Sequence, residues 1–328
     1  MEDKVLNKKG VRNIIFVVLS VIFVSQFFVP SVVTHSATVV RGKIKKQSNF
    51  VSPAIGPNLF KLNYFNEFAV FVPTSFDLIK TFKKIDFELD DVAKRRDSVP
   101  RIYVSKLPFD IDKVKSISQK KSLFIKIILP LILQANEEIE NDRTFILSLQ
   151  NKNRIGAKLY LTEKIWLLNK FKLYDLEPYD FKGLLNRHNT IPPSLALAQS
   201  IIESGWGTSR FAKNGNAIFG QWTFKSGTGL VPLNRSPGEQ HEIKSFEKLE
   251  QSVKQYIFNL NYHSAYKKFR DMREKMNINT NLNLNSYSLA ETLHNYSEKR
   301  NNYVKLVKSI MASNNLQRFD NVRFRDYF

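Results

Sequence analysis

The stretch "PPSLALAQSIIESGWGTSRFAKNGNAIFGQW", Pro192–Trp222, predicts the part of the fold around which the rest of the chain is organised. It begins as a helix, since proline is tolerated in the first turn and apolar residues then recur at helical spacing. Gly205 ends that helix, because glycine readily takes the left-handed conformation at a helix C-terminus. The predicted buried face consists of one apolar ridge and two residues that widen it: Leu195, Ala198 and Ile202, with Leu197 and Ile201.

Glu203 stands where this helix stops. On a helical wheel it lies away from the apolar ridge, beside Ala196 and Gln199, on a small, polar side that faces either solvent or the floor of a groove. The negative end of the helix dipole disfavours an anion there by roughly 0.3–1 kcal/mol, and desolvation by Trp206 and Phe219 also favours a neutral carboxyl group. A general acid that works near neutral pH needs such an environment. The alternative is a solvated surface glutamate, which this pattern by itself does not exclude.

The same stretch, with its E-S-G-W-G-x-S-R-F run followed by N-x-x-F-G, closely resembles the glucosaminidase domain of bacterial peptidoglycan hydrolases in the lysozyme-like superfamily. On this resemblance the chain is identified as a member of the Bax family. The likeness extends from about Val99 to Leu316. It implies a mainly α (α+β) fold, with a lysozyme-like catalytic domain, a small β-hairpin and an N-terminal accessory helical region. The further segments that carry it are "FIKIILPLILQANEEIENDR", "GLVPLNRSPGEQHEIKSF", "SVKQYIFNLNYHSAYKKFR" and "YSEKRNNYVKLV".

The resemblance implies an endo-β-N-acetylglucosaminidase that cleaves β-1,4 bonds after N-acetylglucosamine in peptidoglycan glycan strands. The glutamate of the E-S-G run, Glu203, is then the general acid, and Tyr296 is a tyrosine beside the cleft. For a second carboxylate, "GEQHEIKSF" offers Glu239 and Glu242, of which Glu242 is preferred because it opens a strand-like alternation. Retaining, inverting and substrate-assisted mechanisms stay open, as do muramidase and lytic transglycosylase specificities.

Aromatic and amide side chains around the acid suit a sugar-binding cleft. Flat rings pack against sugar rings, and amides donate and accept hydrogen bonds with hydroxyl and acetamido groups. For Phe219 a place in the core is the favoured alternative. The predicted substrate-binding residues are Gln199, Trp206, Asn216, Phe219, Gln221, Trp222 and Glu239. No metal or other cofactor is expected, because His241, His263 and His294 lack the spacing of a zinc site.

Composition gives broader limits. The 328 residues carry 50 Lys and Arg against 30 Asp and Glu, a net charge of +20. Such a charge favours anionic partners, among them the carboxylates of the cell wall, but no nucleic-acid-binding signature accompanies it. The absence of cysteine excludes disulfides and a cysteine nucleophile.

An export signal is predicted at the N-terminus. "MEDKVLNKKGVRN" is basic, and the apolar run 14–33 that follows is about long enough to span a bilayer. An uncleaved signal-anchor is favoured over a cleaved signal peptide, because the small-residue cleavage site is poor. The predicted location is the cell envelope, on the periplasmic side of the inner membrane.

The predicted segments are 1–40 for export, 41–120 as an accessory region, 121–180 as a helical segment packed on the catalytic domain, and 181–318 as that domain. A second functional hypothesis is a non-catalytic or regulatory wall-binding protein on the same fold. Two departures from the family pattern favour it. No glycine follows Arg300, and His188 and Asn189 replace a Val–Asp-like pair.

Overall fold

Helices dominate the part of the chain that the computed structural model describes, residues 69–233, 235, 238–278, 285–297 and 300–326. The predicted mainly α fold with a small antiparallel sheet is confirmed. The α-helices in this part are α1 Ser75–Lys84, α2 Leu89–Ala93, α3 Ile117–Arg154, α4 Leu161–Leu173, α5 Phe181–Arg187, α6 Pro193–Ser204, α7 Arg210–Gly215, α8 Leu249–Tyr262, α9 Lys267–Ile278, α10 Ser286–Ala290 and α11 Asn301–Ser313. Short 3-10 helices cover Ile111–Lys113, Ser264–Tyr266, Leu293–Tyr296 and Leu316–Phe319.

The strands are short and form two separate sheets. In the first, β1 (Ala69–Val70) pairs in parallel with β2 (Tyr103–Val104). The second contains β3 (Trp222–Thr223), β4 (Gly229–Leu230) and β5 (Glu242–Lys244) in the antiparallel order β3-β5-β4. The predicted hairpin is therefore a three-stranded sheet, because β5 returns between the two earlier strands and pairs with both.

The longest helix, α3, has 38 residues and begins with the Ser116 hydroxyl accepting a hydrogen bond from the backbone N–H of Gln119. A proline inside a helical pattern commonly kinks the helix or starts one, yet α3 runs through Pro130. Proline removes one backbone hydrogen bond. Pro130 and its neighbours Leu129 and Leu131 are buried in the main core, and their packing offsets that loss.

Helix α6 lies in the middle of the main core and packs against α3, α11 and the last 3-10 helix. Its predicted apolar ridge is buried, with Ile202 half-buried at the edge. The side that the helical wheel assigned to solvent or a groove is also covered, since Ala196 and Gln199 are both fully buried. The expectation that this side could face solvent is wrong for these two residues. Hydroxyl groups of two other helices form hydrogen bonds with Gln199, so its polar side chain can be buried on this face.

The first turn of α6 is held by a carboxylate from the end of the chain. Asp320 accepts hydrogen bonds from the backbone N–H of Ser194 at 2.8 Å and from the Ser194 hydroxyl at 2.9 Å. The Ser286 hydroxyl donates to the same carboxylate at 2.8 Å. A negative charge at a helix N-terminus is stabilising, so Asp320 fixes the end of α6 opposite Glu203.

A smaller hydrophobic core joins α3, α4 and α5 and has a polar network at its edge. Nδ1 of His188 forms a hydrogen bond with the Tyr174 hydroxyl at 2.8 Å. Nε2 of the same ring lies 3.1 Å from Oδ2 of Asp142. Lys170 forms an ion pair with the same carboxylate. Asn189 accepts hydrogen bonds at its backbone oxygen from neighbouring side chains. The two residues that depart from the family pattern therefore occupy buried structural positions.

This network predicts a loss of stability in acid. Burial opposes ionisation of Asp142, but the hydrogen bond from His188 and the charge of Lys170 outweigh it and lower the pKa of Asp142 from 3.8 to about 2. A carboxyl group with a lowered pKa stabilises the fold above its ordinary pKa and loses that contribution as the pH falls. We expect Asp142 to contribute about 2 kcal/mol of the loss in the free energy of unfolding between pH 4 and pH 2, measured by urea denaturation of the wild type and an Asp142 variant.

The variant Asp142→Asn tests the origin of that loss. It lowers stability at neutral pH, because Lys170 is left without its carboxylate partner. Its unfolding free energy then depends less steeply on pH than that of the wild type between pH 4 and pH 2. Equal slopes in the two proteins would contradict the assignment.

All described residues belong to one compact unit, Gly56–Phe328. The main core takes side chains from Leu78 to Phe319, so the accessory and catalytic segments share it, and the predicted segment boundaries stay predictions. Within the residues that the structure describes, no helix is long and apolar enough to cross a membrane. The predicted export segment, 14–33, lies outside those residues.

Candidate active site

Glu203 lies in the last turn of α6 and is half-buried. The helix ends at Gly205, which has the predicted left-handed conformation with φ of 58°. Trp206 and Gly207 follow with φ of 60° and 78°. Three successive left-handed residues turn the chain away sharply, so α6 stops directly after the carboxylate. A left-handed backbone conformation is costly for a residue other than glycine. The ring of Trp206 packs on that of Phe124, with centroids 5.9 Å apart, and this contact helps to stabilise the conformation.

The two oxygens of Glu203 have different surroundings. Oε1 accepts a hydrogen bond from the hydroxyl of Tyr303 on α11 at 2.9 Å. Oε2 faces Gly220, where a Cβ atom would lie only 3.3 Å away. Gly220 also has a φ of 60°. Glycine at this position leaves space beside Oε2 that a side chain would fill.

Tyrosines surround the acid. The ring of Tyr296 stacks on that of Tyr303 with centroids 5.3 Å apart, and its hydroxyl donates to the backbone oxygen of Phe219 at 3.4 Å. Tyr256 stacks on Phe219 with centroids 3.9 Å apart. Burial, followed by the charge of neighbouring groups, raises the pKa of Tyr256, Tyr296 and Tyr303. These hydroxyls therefore keep their protons at any pH at which an enzyme works.

The predicted second carboxylate, Glu242, lies at the start of β5 and is buried. Both of its oxygens accept backbone hydrogen bonds from the turn between β3 and β4, from Gly227 at 3.0 Å and from Gly229 at 2.8 Å. These bonds lower the pKa of Glu242, which keeps the carboxylate ionised. Its assignment as a catalytic group stays a prediction, and the structure adds a competing role, that of holding the hairpin turn.

Glu242→Gln separates these roles. We expect lower thermal stability and a higher KM, because the amide group cannot accept both backbone hydrogen bonds and the turn loosens. We expect kcat to stay within about tenfold of the wild type, whereas loss of a general base costs roughly 10²–10⁴. Muropeptide release and thermal melting measure the two effects, with Glu247→Gln on the exposed segment after β5 as control. A kcat loss in the larger range with unchanged melting would support the catalytic prediction instead.

Three predicted substrate-binding residues lie inside the protein. Phe219 is only 2% exposed and belongs to the main core, as the alternative interpretation held. Asn216 is buried in the left-handed conformation and donates through its amide to the backbone oxygens of Phe246 and Glu247. Gln199 is fully buried between two tyrosine hydroxyls. Their burial favours structural or positioning roles, and contact with a sugar stays a prediction for each.

The other predicted binding residues lie nearer the surface. Trp222 on β3 is 41% exposed and stacks on His241 with ring centroids 4.1 Å apart. Gln221 is half-buried, and its Oε1 accepts no hydrogen bond from the residues that the structure describes. Glu239 is exposed and lies 3.6 Å from the ring of His241. Trp206 is half-buried beside α3, with Lys121 5.0 Å above its ring. Trp222 lies two positions after Gly220, and its ring is exposed.

Sequence reasoning missed Tyr303, Tyr256 and the contact of Gly220 with the acid. One signal was available for Tyr303. On α11 it shares a buried face with Val304, Val307 and Met311, and a buried tyrosine hydroxyl requires a hydrogen-bond partner. In the part of the chain that the structure describes, no three His, Cys, Asp or Glu side chains are grouped so as to hold a metal ion.

The chain has recognisable relatives. Residues 181–316 match the Glucosaminidase family model, described as mannosyl-glycoprotein endo-beta-N-acetylglucosaminidase. Residues 181–316 therefore carry a glucosaminidase domain, which suggests a glycoside hydrolase. It is 28% identical over 205 residues to protein bax of Escherichia coli (strain K12), an alignment that covers 61% of this chain and 71% of that protein. Together these matches support a Bax-family glucosaminidase-domain protein.

A solved structure is also similar. The catalytic domain of the autolysin Auto from Listeria monocytogenes matches with a TM-score of 0.31 and 18% sequence identity. The match covers 54% of this chain and 86% of that one.

Proposed function

We propose that the protein is a peptidoglycan hydrolase, an endo-β-N-acetylglucosaminidase that uses Glu203 as its general acid. The observation that supports this most directly is the half-buried carboxylate at the end of α6, with Oε1 bound by Tyr303 and Oε2 beside Gly220. It lies within the glucosaminidase-family domain. A carboxyl group with one oxygen held by a hydroxyl donor and the other beside a glycine suits directed proton transfer to a leaving group.

In the proposed reaction Glu203 protonates the glycosidic oxygen of the β-1,4 bond that follows N-acetylglucosamine. The bond between that oxygen and the anomeric carbon breaks, its electron pair stays with the leaving oxygen, and positive charge develops on the sugar ring. Water or the substrate's own acetamido group then attacks the anomeric carbon. The role predicted for Glu242 in this second step competes with its hydrogen bonds in the hairpin turn, and the kcat of Glu242→Gln decides between the two. Tyr296 borders the same site through its stack on Tyr303.

Substrate binding is proposed to involve the exposed face of Trp222, with Gln221 and Glu239 on the same sheet and loop. Gln221 follows Gly220 directly, and its backbone oxygen accepts a hydrogen bond from Lys244 on β5 at 2.7 Å. The Oε1 atom of Gln221 is buried and has no hydrogen-bond partner among the described residues. An acetamido N–H would supply one if the sugar reaches this side chain.

The proposed location is the cell envelope, on the periplasmic side of the inner membrane, with 14–33 as the membrane segment. The net charge of +20 suits a polymer whose peptide stems carry carboxylates. No cofactor is required, because proton transfer by a carboxyl group supplies the chemistry.

Digestion of purified sacculi by the full chain tests the function. We expect released fragments that end in reducing N-acetylglucosamine. Reducing N-acetylmuramic acid would indicate a muramidase, and anhydro sugars a lytic transglycosylase. If the protein pellets with sacculi but releases no fragment, the enzyme assignment is wrong and the wall-binding hypothesis is supported.

A further inference from the structure

A groove runs between α1 and the segment that leads into α3. Its two sections have volumes of about 410 Å³ and about 420 Å³, and Ile79 and Gln119 line both of them, so they form one continuous groove. The second section is lined from below by the buried side chains of Phe82 and Leu123. None of the residues placed at the candidate active site lines either section. The groove is therefore a separate feature of the described surface.

A buried hydroxyl group lines the first section. Ser75, the first residue of α1, is only 3% exposed. Its Oγ has no hydrogen-bond partner among the described residues, although its backbone N–H donates to Oδ1 of Asp110 at 2.7 Å. A buried hydroxyl group without a partner is unfavourable. An oxygen of a ligand in the groove would accept its proton.

Lysines dominate the charge of this section. Lys80 and Lys83 on α1 and Lys113 on the 3-10 helix before α3 line it, and all three are exposed; these are the groove lysines. None of them forms an ion pair with a residue that the structure describes. The carboxylate of Asp110 lines the same section and is bound to the backbone of Ser75. Three cations beside one carboxylate favour an anionic ligand.

Large apolar side chains are exposed along the same groove. Phe76 lines the first section and is 73% exposed. Phe109 and Ile117, also exposed, lie before and at the start of α3, and the backbone N–H of Phe109 donates to the oxygen of Pro73 at 3.1 Å. Apolar groups beside lysines are typical of proteins that lie on a membrane, where the apolar groups enter the acyl boundary and the lysines meet anionic headgroups. A hydrated glycan has no such hydrocarbon layer.

The chain that precedes Ala69 is a competing occupant of the groove. Residues 34–68 contain five Lys and Arg and one Glu, so their charge does not complement the groove lysines. The predicted membrane segment 14–33 ends 36 residues before Ala69. A chain of that length reaches roughly 120 Å when fully extended, which allows the groove to meet the same bilayer.

We propose that the groove and its exposed apolar rim bind the surface of an anionic phospholipid bilayer. The groove lysines contact lipid phosphate groups, the hydroxyl of Ser75 donates to a lipid oxygen, and the rings of Phe76 and Phe109 enter the acyl boundary. Helix α1 shares the main core with α6, so this contact holds the glucosaminidase domain against the membrane. The proposal does not depend on the proposed enzymatic activity, because an inactive protein would bind in the same way.

Cysteine labelling of the full chain tests the proposal, because the sequence contains no cysteine. Phe76→Cys and the control Leu161→Cys on α4 replace side chains that are both 73% exposed. Each variant is labelled with a fluorophore and mixed with vesicles of phosphatidylglycerol and phosphatidylethanolamine that contain a lipid-bound quencher. We expect quenching of the label at position 76 and none at position 161. If Phe76→Cys does not fold, Phe109→Cys replaces it, with the similarly exposed Ile155→Cys as control.

The dependence on charge is the second measurement. Replacing the three groove lysines by glutamine in labelled Phe76→Cys should lower the ratio of quenched to unquenched label by about fivefold for each lysine. This fold-change corresponds to about 1 kcal/mol for each charge at an anionic membrane surface. Salt at about 1 M should also lower the ratio, because it shortens the Debye length to about 3 Å. The matched control replaces three other exposed lysines by glutamine and should leave quenching unchanged: Lys158, Lys164 and Lys172.

Several outcomes would overturn the proposal. One is equal quenching at positions 76 and 161, and another is equal quenching at position 76 in neutral phosphatidylcholine vesicles. A label at position 76 that is shielded from aqueous iodide before vesicles are added would place the chain before Ala69 in the groove. Shielding by sacculi, or loss of sacculus cleavage when the groove lysines are replaced, would assign this surface to the wall. A protein that cleaves no sacculi but shows charge-dependent quenching supports the proposal and defeats only the proposed function.

Discussion

Glu203→Gln is expected to lower kcat/KM for glycan cleavage by roughly 10²–10⁴, the usual contribution of a general acid. Glutamine has the size of glutamate, and its oxygen can still accept the hydrogen bond from Tyr303. It has no proton acidic enough to give to a leaving sugar oxygen. Muropeptide release from sacculi, followed at several substrate concentrations, measures the loss.

Glu177→Gln is the control for this substitution. Glu177 is exposed on the loop between α4 and α5, and the same change of charge there should leave turnover intact. Thermal melting should show both variants folded. Equal cleavage by wild type and Glu203→Gln would remove Glu203 from the mechanism altogether.

Gly220→Ala is expected to lower kcat by about tenfold, since the carboxylate must shift by a few tenths of an ångström, less than the displacement of about 1 Å that costs about 10²-fold. The added Cβ would lie 3.3 Å from Glu203 Oε2. Either the carboxylate moves or the methyl group covers it. The left-handed backbone at Gly220, with φ of 60°, adds a strain of about 1–2 kcal/mol for a residue with a side chain.

The strain and the contact can be separated. Gly156 has a φ of 69°, and a Cβ there would meet no atom within 4 Å. Gly156→Ala therefore carries a similar backbone strain far from the acid, and it should lose stability but keep its kcat. If both variants keep full activity, the space beside Oε2 is not required for the reaction.

Local sequence patterns were sufficient for α6 and its end. The apolar spacing located the buried ridge, and Gly205 located the stop, because both depend on residues a few positions apart. Glu203 followed as the carboxylate at that stop. The partners of the acid depend on tertiary packing instead. Tyr303 lies 100 positions from Glu203, and Tyr256 lies 57 from Gln199, so no local pattern could join them.

Residue type was a weak guide to which side chains are exposed. Asn216 and Phe219 have the chemistry of sugar-binding residues, yet both are buried. Asn216 takes a left-handed conformation that asparagine tolerates better than most residues, and its amide satisfies two backbone oxygens. Phe219 stacks on Tyr256. Each was placed by backbone geometry and ring packing, which amino-acid type does not encode.

The capping of α6 by Asp320 bears on where the domain can be cut. The family match ends at residue 316 and the predicted catalytic segment at 318, so Asp320 lies beyond both limits. A recombinant domain trimmed to either limit would lack the carboxylate that Ser194 and Ser286 contact. Helix α6 has 12 residues, about 18 Å at 1.5 Å per residue. If the first turn of α6 loosens, the last turn, which carries Glu203, is no longer held in place. The active domain must therefore be expressed to at least residue 320.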